Sequence, residues 1–231
     1  MKYISRIAKK ATGVFLLCFL LLGNTTSGDT AGSTVTRIPV WVFLETMPGA
    51  TSEAARTSLP PKKALNEVSR FLLSGLVFGW DFSYTPYDKR RNVDEYFEII
   101  PKYEITANDT AFHMSDLTPA YPYLYCYAEY SADILLAKRQ AAWKTLSYKT
   151  VQGSGIGERS DEVQGIYTAY INATKDAVRR YAKDLTKNKP REVRGQLLIR
   201  NNPRLFMKSG QFHANLEMYI FISEIIPYEV F

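Results

Sequence analysis

Residues 151–199 read VQGSGIGERSDEVQGIYTAYINATKDAVRRYAKDLTKNKPREVRGQLLI, and the fold turns on how they are read. Gly153, Gly155 and Gly157 alternate along a short extended run. Val163, Ile166, Tyr170, Ala173, Ala177 and Val178 then recur at the spacing of one helix face. Ser160 suits an N-cap, and Asp161 and Glu162 put negative charge at the positive end of the helix dipole. Pro190 stops the helix, and Val193 to Ile199 is again strand-like. The spacing predicts a strand, a long amphipathic helix over about 160–187, and a return strand. Glycines ahead of a helix also suggest a dinucleotide site. That fingerprint needs GxGxxG and an acidic residue after a second strand, and this stretch has GxGxG before a helix too long to allow one. The glycines read instead as bare backbone where a helix crosses close to a sheet.

Outward from this unit the same kinds of element recur. Phe212 to Ile222 alternates cleanly, with Phe212, Ala214, Leu216, Met218 and Ile220 on one face. Toward the amino terminus, IPVWVFL (residues 38–44) reads as a buried strand. Pro60-Pro61 opens a helix carrying Ala64, Leu65, Val68, Phe71 and Leu72, with Gly75 as its expected C-cap. The period then changes to 2 over residues 76–85 and again over 97–105, where Pro101 argues for an edge strand. Residues 107–122 read as irregular. Tyr121, Tyr123, Tyr125 and Tyr127 alternate along a further strand, and 132–146 fits a helix or a hairpin, with helix preferred. The fold class is therefore α+β: two β-α-β-β-like units with mainly antiparallel sheets and the long helix near 160–187. The units span 37–130 and 131–231, an order that also fits one continuous domain.

The first residues form a different pattern. Lys2, Arg6, Lys9 and Lys10 precede an apolar run from Ala11 to Leu22, and small and polar residues follow. This is the order of a secretory signal peptide, about a dozen apolar residues long and too short to span a bilayer. It assigns 1–28 to the signal, with cleavage between 23 and 31, and 29–36 to a flexible lead-in. Residues 1–28 hold four of the 29 basic residues and no acidic one, which leaves 25 against 23, about +2, for the mature chain. No basic stretch of nucleic-acid grade remains. Lys89-Arg90-Arg91, the densest cluster, reads as a solvated hairpin tip. Cys126 is the sole mature cysteine, so the mature chain can form no intrachain disulfide.

The chemistry on offer is sparse. The two histidines, His113 and His213, stand far apart in the chain, and no histidine or cysteine pair has metal-ligand spacing. Neither a GxSxG elbow nor a GxxxxGK[ST] loop occurs. No catalytic, cofactor or metal residue is assigned, and enzymatic activity is the less favoured reading. Asp81, Asp94, Glu95 and Glu98 keep open a carboxylate-dependent hydrolase, which would need two carboxyls facing across a cleft. The tyrosine row could bind a partner or a small ligand, or form a sheet face covered by the protein itself.

Gly153, Gly155 and Gly157, the helix alanines Ala169, Ala173, Ala177 and Ala182, and the following Val193 and Gly195 resemble the module of FlgT-type flagellar proteins and related LPP-type bacterial envelope lipoproteins, over residues 150–224. The resemblance implies a non-enzymatic envelope protein and supplies no catalytic residue. Cys18 departs from the lipoprotein branch, because Phe15, Leu16 and Leu17 precede it where a lipobox wants a small residue. The expectation is an exported, non-catalytic protein of the periplasm or cell envelope. Its partner would be another envelope or flagellum-associated protein, with no cofactor, no nucleic acid and no integral membrane span after signal removal. Tyr121, Tyr123, Tyr125 and Tyr127 are the candidate partner-binding residues.

Overall fold

A computed structural model describes residues 34–46, 59–145 and 148–228. The stretch expected to be a signal, its expected cleavage site and most of the loop before Pro60 lie outside these residues. The described part is α+β, with three α-helices and nine mainly antiparallel strands in two sheets. In chain order these are β1 (Thr34–Phe43), α1 (Pro61–Val77), β2 (Trp80–Thr85), β3 (Tyr96–Pro101), β4 (Phe112–Ala120), β5 (Tyr123–Ala132), α2 (Ile134–Thr145), β6 (Lys149–Glu158), α3 (Val163–Leu185), β7 (Glu192–Ile199), β8 (Arg204–Lys208) and β9 (Gln211–Ile226). The smaller sheet runs β1-β5-β4, and the larger runs β3-β2-β7-β9-β6, with β8 also paired to β9.

The β6 glycines explain how α3 lies on the larger sheet. A Cβ on Gly153 would run into the carbonyl oxygen of Ala173, one on Gly155 into that of Ala169, and one on Gly157 into that of Gly165. Gly165, Ala169, Ala173 and Ala177 form the i, i+4 stripe facing them, and all four are buried. Small residues on both elements bring helix backbone against strand backbone.

That close approach also protects an edge. β6 ends the sheet, and an unpaired edge strand is a template for aggregation. Asn172 Nδ2 donates to the Ile156 carbonyl at 2.9 Å, and the Ser154 N–H donates to Asp176 Oδ2 at 3.0 Å. One turn of α3 thus caps two backbone groups on this edge. Burial pushes the Asp176 carboxyl up, but hydrogen bonds from Arg180 and the Ser154 N–H outweigh it and hold the group below its ordinary value.

Several boundaries differ from the sequence reading. α1 does not end at Gly75. It continues to Val77, the N–H groups of Phe78 and Gly79 both donate to the Ser74 carbonyl at 3.0 Å, and Gly79 at φ +83° makes the turn. Gly75 is small because the Trp80 ring lies against it. Residues 76 and 77 are therefore helical, and β2 starts at Trp80. β3 stops at Pro101 and is an edge, as its proline implied. The chain beyond it is pinned by α1, where Ser74 Oγ donates to the Tyr103 carbonyl at 2.6 Å and Arg70 to that of Ile105 at 3.1 Å. The stretch read as irregular contains β4, broken by a bulge between Ser115 and Thr118 where Asp116 has φ +53°. Only Phe112 of β4 is buried, so alternation could not reveal it. Ser160 does not cap α3: residues 159–161 form a 3-10 turn and Glu162, at φ +54°, precedes the helix. β1 begins at Thr34, within the stretch read as lead-in, and β8 was not foreseen.

The strands of the first half divide between the sheets. β1 pairs with β5, while β2 pairs with β7 through Trp80–Leu197 to Tyr84–Val193. α1 bridges this division: Leu65, Val68, Leu72 and Leu73 are buried in one core shared with Ile38, Val40, Ala128, Leu197 and Ile199.

Two outcomes follow. Gly155→Ala should destabilise by about 2–3 kcal/mol in chemical denaturation, since the new methyl must push α3 off β6, whereas Ser154→Ala should change little. Asn172→Ala/Asp176→Ala should raise self-association measured by light scattering. Because the folded Asp176 pKa is depressed, its stabilisation is present above the unfolded value of about 4 and is lost as pH falls through the folded value, so the double variant should show less acid sensitivity than the parent.

Candidate functional site

β5 alternates strictly. Leu124, Cys126, Ala128, Tyr130 and Ala132 are buried, while Tyr123, Tyr125 and Tyr127 lie on the opposite face. Register sets their neighbours on β1: Phe43 opposite Tyr123, Trp41 opposite Tyr125 and Pro39 opposite Tyr127. The outer face of the smaller sheet therefore carries aromatic rings from two strands.

The rings form a graded row. At its inner end Phe43 and Trp41 contact Phe212 of β9, with centroids 6.0 and 6.3 Å apart, and the Trp41 indole N–H donates to the Leu205 carbonyl at 3.3 Å. Tyr123 follows, 4.8 Å from Trp41 and 4.9 Å from Phe43, and Tyr125 lies 5.7 Å further along. Tyr125 and Tyr127 are 38 % and 41 % exposed. Over Tyr127 sits the Arg37 guanidinium at 4.0 Å, held there by Glu129 at 3.0 Å and Asp116 at 2.7 Å. The inner end is anchored in the protein, and the outer end is an open aromatic surface with a fixed cation.

Tyr121 belongs to neither strand. It occupies the β4–β5 turn, joined to Pro122 by a cis peptide bond, and is highly exposed. The structure thus places three of the four tyrosines on one face and the fourth at the hairpin tip. Trp41 and Phe43 are not separated from the core when 38–44 is read as uniformly buried, and Arg37 falls at the end of the polar stretch that precedes that strand. Only Ile38, Val40 and Val42 are buried there, and the alternation of aromatic with β-branched residues in VWVF is the signal that could have separated the faces.

A buried arginine holds the anchored end. Arg159, 8 % exposed, stacks its guanidinium 3.7 Å above the Phe43 ring, donates to the Glu45 carbonyl at 3.1 Å and pairs with Glu162 at 2.9 Å. It stands between β6 and α3, so it ties the aromatic row to the helix–glycine contact.

The other chemical candidates are dispersed. Glu95 accepts from the Tyr84 hydroxyl at 2.9 Å and lies 3.7 Å from Arg179, Asp81 lies 3.6 Å from Lys102, and Glu98 accepts from the Tyr96 hydroxyl at 2.9 Å. His213 stacks on Phe206 at 5.4 Å, and His113 stands opposite Glu129 on β4. Burial pushes the Cys126 thiol up, with Ser69 Oγ at 3.9 Å acting weakly the other way, so the thiol stays protonated. Among the described residues no group of three or more His, Cys, Asp or Glu could hold a metal ion. Also among them, no helix is long and apolar enough to cross a membrane.

A family of uncharacterised proteins matches residues 24–228. An uncharacterised protein of Treponema pallidum (strain Nichols) is 39 % identical over 207 residues, covering 89 % of this chain and 87 % of its own length. Neither of these similarities is to a FlgT-type or LPP-type protein. No solved structure matches.

Removing the arginine clamp tests the anchoring. Arg159→Ala should cost about 3 kcal/mol in denaturant melts, because it removes together the ion pair with Glu162, the hydrogen bond to the Glu45 carbonyl and the stacking on Phe43, all in a nearly dry site. Arg159→Lys should recover only part of this, since an ammonium lacks the planar fork that stacks on Phe43.

Proposed function

The chain belongs to this family of uncharacterised proteins, and from that premise we propose that it is an exported, non-catalytic envelope protein that binds another envelope component through the outer face of its smaller sheet. The carrying observation is the row from Trp41 through Tyr123 and Tyr125 to Tyr127, with Arg37 fixed above its open end. Tyrosine and tryptophan offer broad apolar contact at small entropic cost and keep a polar tip for hydrogen bonding, and with arginine they dominate binding hot spots. The backing suits recognition, because the strand that presents the tyrosines is buried on its other face against α1. The basic-apolar-small order of residues 1–28 supports export.

The test compares residues 29–231 with Tyr125→Ser/Tyr127→Ser, each immobilised and exposed to an envelope extract of the source cells. The parent should enrich a reproducible set of envelope proteins, and the variant should retain about a tenth of it or less with an unchanged melting temperature. Equal enrichment by both forms, or none by the parent, would sink the reading.

A further inference from the structure

The turn between β2 and β3, the carboxyl end of α3 and the segment up to Pro190 meet around two adjoining hollows of about 1100 and 400 Å³. Seven cations line them: Lys89, Arg90 and Arg91 from the turn, and Arg179, Lys183, Lys187 and Lys189 from α3 and the chain beyond it. Two carboxylates share the space, and both are engaged. Asp88 is buried and accepts from Arg91 Nη1 at 2.6 Å, while Glu95 lies 3.7 Å from Arg179 and 3.8 Å from Lys175. The Lys189 ammonium donates to the Tyr87 carbonyl at 2.8 Å. Among the described residues, Lys89, Arg90, Lys183 and Lys187 make no ion pair. The negative end of the α3 dipole, about half a charge, cannot balance four.

The cations are therefore gathered and left with charge to spare. Beside them stand Tyr87 and Ile225, 50 % and 41 % exposed, with Tyr228 under the Arg91 guanidinium at 4.2 Å. Lysine and arginine mixed with an exposed aromatic ring and an aliphatic side chain match the layer where lipid phosphates meet the first carbons of the bilayer. A single-stranded nucleic acid would ask for a row of stacking rings along a basic track, and this end has no such row among the described residues.

We propose that this end of the molecule is a docking surface for anionic, phosphate-bearing lipid headgroups at a membrane surface. Lys89, Arg90, Lys183 and Lys187 meet the phosphates, and Tyr87 and Ile225 enter the headgroup layer beside them. The surface is separate in its residues from the aromatic row, so the two can be disabled independently.

The experiment is co-sedimentation of residues 29–231, which contain every described element, with vesicles of phosphatidylcholine alone or mixed with phosphatidylglycerol. Binding should require the anionic lipid and should fall as salt is raised. Lys89→Glu/Arg90→Glu/Lys187→Glu should weaken it by more than about a hundredfold, since losing three cations at an anionic surface alone accounts for about that much. Lys62→Glu/Lys63→Glu, on the exposed start of α1, should leave it unchanged. Should the triple reversal fold poorly by circular dichroism, the corresponding triple glutamine variant is used and should give an intermediate loss. The proposal is overturned by equal binding to both vesicle types, by a control variant that loses as much, or by displacement with inorganic phosphate at matched ionic strength. Displacement by a short single-stranded oligonucleotide at a lower concentration than lipid would equally overturn it, in favour of nucleic acid.

Discussion

Backbone-to-backbone contact between α3 and β6 is the constraint on which the rest depends. A helix resting on ordinary side chains is held away from a sheet by the side chains that stand between the two backbones. Here three alternating strand glycines meet a stripe of glycine and alanine, and the helix settles until carbonyl oxygens occupy the space that Cβ atoms would fill. Little apolar side-chain area is buried at this contact. Such a contact is stabilised by dispersion between tightly packed atoms, which needs close approach. The same closeness lets Asn172 and Asp176 reach the open edge of β6. A helix held further out would leave that edge bare.

The contact propagates through its neighbours. β6 pairs along β9, whose length lets it carry β6 on one side and both β7 and β8 on the other. β9 supplies Phe212, against which Trp41 and Phe43 of the smaller sheet rest. Arg159, at the end of β6, clamps Phe43 from the side of α3. The aromatic row of the smaller sheet is thus positioned by an interaction in the larger one. α1 completes the link, since its buried residues serve both sheets at once. A binding surface loses affinity when its side chains must be ordered on association, so this anchoring has functional weight.

What was legible followed from periodicity and bulk. The glycine strand, the small-residue helix, β9 and three of the four tyrosines of the row each carry a period over many residues and sit on the elements that the pattern placed, while Tyr121 falls in the turn before β5 and α3 starts at Val163. Boundaries set by partners were not legible. Gly75 resembled a cap because glycine favours helix ends, yet its role is to admit the Trp80 ring, and Gly79 makes the turn. β4 was hidden because an exposed edge strand has no buried face to impose alternation. Ser160 was displaced from capping by a local 3-10 turn that brings Arg159 and Glu162 together. The aromatic residues of β1 escaped notice because a strand at the junction of two sheets is buried on one face and half-buried on the other, which in sequence reads as buried throughout.

Charge shows the same limit from another side. Summed over residues 29–231 it nearly cancels, and that near-neutrality argues against a nucleic-acid partner. Folding redistributes the sum. Three basic residues in a turn are an ordinary solvated tip, and a lysine-rich helix end is an ordinary response to the dipole. Each has a bland explanation when taken alone, and the two lie about a hundred residues apart in sequence. Only the pairing of β2 with β7 brings them to one end of the molecule, because that register places the β2–β3 turn beside the segment leading into β7. Several acidic residues that balance the total are engaged elsewhere, as Glu129 and Asp116 are with Arg37 and Glu217 is with Arg200. The field that a ligand meets depends on charges within a screening length of about 8–10 Å, so the local surplus outweighs the global balance.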